Sequence, residues 1–156
     1  MPQEKTNKTN KIAITISWLL VVICMGIIFY FSARPAVQSS EQSAFFVEFL
    51  KRLFGENEIF SFIVRKTAHF LEFAGLAVLV FNALHSTFGK FRPFVSFAVT
   101  AAYAIIDEIH QHFVDGRACR FFDWLVDCSG AAAALIFIYI IILLSRKIKR
   151  RNSYDG

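Results

Sequence analysis

Ile12-Ala-Ile-Thr-Ile-Ser-Trp-Leu-Leu-Val-Val-Ile-Cys-Met-Gly-Ile-Ile-Phe-Tyr-Phe31 is a run of 20 residues without a charge. An α-helix rises about 1.5 Å per residue, so the run covers about 30 Å, the hydrocarbon thickness of a bilayer. A secretory signal core has only about 7–15 apolar residues. Ser32-Ala33-Arg34-Pro35 after the run is also a poor cleavage site. The stretch therefore reads as an uncleaved transmembrane helix, and it sets the fold class for the rest.

Working outward, the whole chain is apolar. Of its 156 residues 56% are hydrophobic, and 19 are phenylalanine. A soluble domain of this length has too little interior to cover that much apolar surface. The net charge of +5 is carried at the flanks of apolar runs: Lys5, Lys8 and Lys11 before the first, and Arg146, Lys147, Lys149, Arg150 and Arg151 after the last. The positive-inside rule explains that placement, and nucleic-acid binding is not expected. The three cysteines, Cys24, Cys119 and Cys128, have neither disulfide-framework nor metal-knuckle spacing.

Four spans are expected, at residues 12–31, 63–84, 94–113 and 121–144, in one membrane domain over 12–145. Residues 1–11 and 146–156 read as basic cytoplasmic tails. The third span has an uncharged part of only 13 residues, Phe94 to Ile106. A crossing of about 20 residues must therefore take in Asp107 and Glu108. With four spans, the N-terminus, the Lys90/Arg92 connection and the C-terminus share a side, the cytoplasmic one. In the first loop, Ser39 and Gln42 fit a capping box, and Phe45, Phe46, Phe49, Leu50, Leu53 and Phe54 line one face up to Gly55. An amphipathic helix over about 40–54 is expected in the outer interface. The expected fold is an all-α membrane protein, a bundle of four transmembrane helices plus that interfacial helix.

Ionisable residues at membrane depth are costly and informative. Measured along the helices from the cytoplasmic ends, Glu72 and His69 lie at roughly 18 and 22 Å, Asp107 and Glu108 at roughly 20 Å, Gln111 at roughly 25 Å and Asp127 at roughly 26 Å. Three helices thus bring polar groups to one layer in the outer half of the bilayer. Arg65, His69 and Glu72 share one helical stripe, Glu108, Gln111 and His112 another. Asp123 and Asp127, one turn apart, repel each other and ask either for a cation between them or for one of them to hold its proton. Arg65, Lys66, Arg117 and Arg120 are the available cations. The acids number five (Glu72, Asp107, Glu108, Asp123, Asp127), so the cluster is nearly neutral. It reads either as interhelical ion pairs that fix packing or as a functional site. A metal site is a third option, with His69, Glu72, Glu108, His112 and the aspartates as ligand types, but no HExxH or Glu-x-x-His motif is present, and neither a metal nor a cofactor is expected. His85 and His110 read as loop or interfacial residues, Trp18 and Trp124 as lipid or interface aromatics, Gly75 and Gly130 as close-packing positions. Asp115-Gly116 reads as the outer turn between the last two spans.

The motifs Arg65-Lys66-Thr-Ala-His69-Phe-Leu-Glu72-Phe, Asp107-Glu108-Ile-His-Gln111-His-Phe, Gly116-Arg117 and Asp123-Trp-Leu-Val-Asp127-Cys-Ser-Gly130, in this order, resemble the VanZ-like family. The Phe29-Tyr-Phe-Ser32-Ala-Arg-Pro segment with Ser39-Ser40 is similar to the family's exit from its first span. The resemblance implies a small bacterial membrane protein, and its founding member is linked to resistance to the glycopeptide teicoplanin. It implies Arg65 or Lys66, His69, Glu72, Asp107, Glu108, Gln111, Arg117 and Asp123 as signature positions, but no reaction. Asp127 departs from the Asn common in relatives, and Ala134 from a second glycine.

Three functions are compatible with these residues. The favoured one is a multi-pass protein of the bacterial cytoplasmic membrane. Its polar cluster (Arg65, Lys66, His69, Glu72, Asp107, Glu108, Gln111, Arg117, Asp123, Asp127) would hold a membrane-lipid headgroup or a lipid-linked or lipidated amphiphile. The second is a membrane-embedded enzyme with His69 as acid or base, held by Glu72 or Glu108. It has no nucleophile at usable spacing, since Ser129 and Cys128 point elsewhere on their helix. The third is an ion-coupled transporter, which four spans without a repeat would make an oligomer; a homo-oligomer is compatible with all three.

Overall fold

The computed structural model describes residues 2–33, 58–114 and 120–152. Among them are four α-helices and no strand. They are α1 (Pro2–Ser32), α2 (Glu58–Phe88), α3 (Pro93–His112) and α4 (Phe121–Asn152). The amphipathic segment at 40–54, the Asp115-Gly116 turn, Arg117 and Cys119 lie outside the described residues.

The elements agree with the hydropathy pattern in the interior and extend beyond it at the ends. α2 starts at Glu58 rather than 63 and stops at Phe88 rather than 84. Gly89, at φ 62°, provides the left-handed residue that ends it, and its N–H donates to the His85 carbonyl at 2.8 Å. Pro93 then opens α3, where its missing N–H costs nothing. α1 and α4 run on through the basic flanks that read as tails. Lys and Arg are good helix formers, and they suit the C-terminal end of the α4 dipole.

Among the described residues three helices are long and apolar enough to cross a membrane: Lys11–Ser32, Phe62–Phe88 and Phe121–Arg151. α3 has 20 residues, a length of about 30 Å. It falls short of the other three in apolar character because Asp107, Glu108 and Gln111 lie inside it.

α2 is the central element, packed against each of the others, and α3 also packs on α4 and α1. Val21 and Ile28 of α1, Phe73, Leu76, Val80, Ala83 and Leu84 of α2, and Tyr103 and Ala104 of α3 form the main core. Ala77, Ala131 and Leu135 make a smaller one between α2 and α4. The outward faces are apolar as well, with Leu19, Ile23, Leu71, Ile106, Phe137 and Ile140 all exposed. A surface of this kind suits lipid and not water. Two hydroxyls inside the bundle are satisfied within α3: Ser96 and Thr100, both buried, donate to the carbonyls four residues back.

The partners fix the directions. Asn82 Nδ2 donates to Ser17 Oγ (3.2 Å) and Trp18 Nε1 to Thr87 Oγ1 (3.0 Å), while Glu72, earlier in α2, lies within electrostatic range of Cys24, later in α1, so the two helices are antiparallel. Tyr103 donates to the Met25 carbonyl at 2.6 Å and Ser32 meets Asp107, so α1 and α3 run the same way. Trp124 Nε1 donates to the Ala101 carbonyl (3.2 Å), and the Arg120 N–H reaches Glu108, so α4 returns antiparallel to α3. Trp124 is therefore a packing residue between α3 and α4 and not the lipid-facing aromatic expected. Gly75 is likewise corrected: it sits on an exposed face with nothing near it. Gly130 is the close-packing glycine, where a Cβ would run into the Phe70 carbonyl of α2.

Candidate polar site between the helices

The alternation of directions brings four helix ends together: the last residue of α1, the early turns of α2, the last turns of α3 and the first turns of α4. Each contributes polar side chains. Asp107, at 0% exposure, accepts on Oδ2 from Ser32 Oγ and from Gln111 Nε2, both at 2.8 Å. Gln111 Nε2 also lies 3.2 Å from Ser32 Oγ. Gln111 reaches Asp107 because they are one turn apart on α3. Glu108 is buried and accepts on Oε2 from the Arg120 backbone N–H at 3.1 Å.

On the facing side, α2 and α4 run parallel and pair in rungs. Lys66 Nζ forms an ion pair with Asp123 Oδ1. One turn deeper, His69 Nδ1 stands 3.6 Å from Asp127 Oδ1. Asp123 and Asp127 thus face two different α2 side chains rather than one shared cation. The carboxylate beside His69 is Asp127, whereas the sequence pointed to Glu72 or Glu108. Glu72 and Asp107 remain within electrostatic range of His69, and Glu108 and Asp107 within range of Asp127. Arg65 is half-buried on α2.

Several polar atoms in this layer are buried without a hydrogen-bond partner among the described residues: Asp107 Oδ1, Glu108 Oε1, both carboxylate oxygens of Asp127, and His110 Nε2. His110 is half-buried and stacks on Phe29, ring centroids 3.9 Å apart, so it belongs to the α1–α3 contact and not to an open interface. Ser129 donates to the Val126 carbonyl on an exposed face, away from His69, as its helical position required. Among the described residues no group of three or more His, Cys, Asp or Glu side chains is arranged to hold a metal ion.

Sequence reasoning missed Ser32 as a member of the site. Its signal was available: it is the first polar residue after the apolar run, on a helix that ends at the level of Asp107.

Fold and site together define a membrane protein whose helices enclose a carboxylate-rich polar layer near one end of the bundle. The VanZ/LLP1 family model matches residues 17–143, and the chain belongs to that family. No curated protein and no solved structure matches it.

Proposed function

We propose that this VanZ-like protein binds the polar headgroup of a lipid or lipidated amphiphile in the outer half of the bacterial cytoplasmic membrane. In this reading α3 completes a fourth crossing, and the termini and the Lys90/Arg92 turn face the cytoplasm. The observation that carries the proposal is the set of partnerless carboxylate oxygens on Asp107, Glu108 and Asp127. Their residues are 0%, 3% and 1% exposed. A buried charged acceptor left unpaired costs several kcal/mol, and in lipid no water is at hand to relieve it. Packing alone would be better served by apolar side chains. A ligand that supplies the missing donors accounts for the groups. Interception of an amphiphilic glycopeptide would be one use of such a site, in line with the role attached to the family's founding member.

The test is retention of amphiphile by the full-length protein purified in mild detergent, read by native mass spectrometry. Wild type is expected to carry bound lipid, and the Glu108→Leu/Asp127→Leu double variant to lose most of it while keeping its helical circular dichroism. Equal retention by both would reject the site.

A second reading is supported by the His69–Asp127 juxtaposition, which suits acid–base chemistry on a membrane-embedded substrate. Expressed in a glycopeptide-sensitive bacterium, a His69→Ala variant that inserts at wild-type level but gives no protection would favour it. Full protection would sink it.

A further inference from the structure

We infer that the group seated in the polar layer is a primary ammonium carried by an amphiphile, which rests on the headgroup-binding reading above. Asp107 and Glu108 each have one oxygen engaged by the protein, Oδ2 by Ser32 and Gln111 and Oε2 by the Arg120 N–H, and one oxygen bare. Asp127 has both oxygens bare, with His69 Nδ1 at 3.6 Å, beyond hydrogen-bonding distance. Among the described residues the deficit at the centre of the layer is four carboxylate acceptors.

Two donors beside the layer are already engaged. Lys66 is held by Asp123, and the Gln111 amide is shared by Asp107 and Ser32. The missing partner must therefore donate several hydrogen bonds and carry positive charge. A primary ammonium has three N–H donors around one charge and accepts nothing. A quaternary ammonium has the charge without the donors. A glycerol headgroup has donors without the charge, so nothing in it offsets its own phosphate beside three carboxylates. Among the described residues the ligands are not arranged for a metal ion, which leaves the ammonium as the fitting cation.

The ammonium could come from a lipid headgroup such as phosphatidylethanolamine or from a free amine, and one experiment separates them. Full-length protein is reconstituted in equimolar phosphatidylethanolamine, phosphatidylcholine and phosphatidylglycerol, extracted in mild detergent, and its retained lipid identified by native mass spectrometry. Phosphatidylethanolamine is expected to be enriched at least several-fold over the other two. The Asp127→Asn variant, which keeps the shape and removes the charge, is expected to abolish the enrichment without abolishing all lipid retention. Free ethanolamine in millimolar excess should leave the bound lipid in place if the acyl chains contribute, and displace it if the ammonium alone is read. Preferential retention of phosphatidylglycerol or phosphatidylcholine, or an enrichment unchanged in Asp127→Asn, would overturn the ammonium assignment and leave headgroup binding standing. Retention of no lipid by wild type would overturn both.

Discussion

Gly130 shows what a single residue decides in this bundle. A Cβ at this position would meet the Phe70 carbonyl oxygen and carbon, which are backbone and cannot swing aside. Any larger residue must push α2 and α4 apart, and with them the Lys66–Asp123 and His69–Asp127 rungs in the two turns before it. Gly130→Val is expected to destabilise the protein by about 1–3 kcal/mol, the usual cost of overpacking. Thermal unfolding in detergent would read this as a lowered Tm. Gly75→Ala is the contrasting case, since nothing lies within 4 Å of a Cβ there. That change is expected to be neutral or slightly stabilising, because Ala is the better helix former by about 1 kcal/mol. In the sequence the two glycines read alike, each a small residue in an apolar run. Only the approach of a partner backbone distinguishes them, and a single sequence does not contain it. Trp124 was misread for the same reason: its indole N–H finds a carbonyl on α3, a partner 23 residues away.

At the scale of the element, α3 is where hydropathy says least and packing says most. Its acids dilute its apolar character, yet its polar residues face the bundle: Ser96, Thr100, Tyr103, Asp107, Glu108 and Gln111 are buried, while Phe94, Val99, Ile105, Ile106 and Ile109 face out. That division makes its outer surface as lipid-compatible as those of its neighbours. The expected consequence is a full crossing. In a background with Cys24, Cys119 and Cys128 replaced, single cysteines at Lys90 and Arg150 should react with a membrane-impermeant maleimide only from the cytoplasmic side. A cysteine at Phe113 should react only from outside. Labelling of Lys90 and Phe113 from the same side would mean that α3 does not cross. The existence and order of the four helices, and the bounds of α3 to within a residue, were legible from the apolar runs, whereas α2 runs past its apolar stretch at both ends. The extensions of α1 and α4 were not, because a charged flank marks the end of a membrane span without marking the end of a helix.

For the whole molecule, the rise per residue alone brought Asp107, Glu108, Gln111, His69 and Asp127 to a common level before any contact was known. The pairings within that level depend on how each helix is rotated about its axis. That is why His69 turned out to face Asp127, and why Ser32 joined the site unannounced. What unites the fold and the site is that the helix ends converge on carboxylates which the described protein groups leave half-satisfied. The most direct test is an experimental structure of the protein in a lipid nanodisc, examined between Asp107, Glu108 and Asp127. The account predicts non-protein density there, with a polar head within hydrogen-bonding distance of those oxygens and a tail leading out between helices. Carboxylates closed on protein cations, with no space and no density between them, would contradict it.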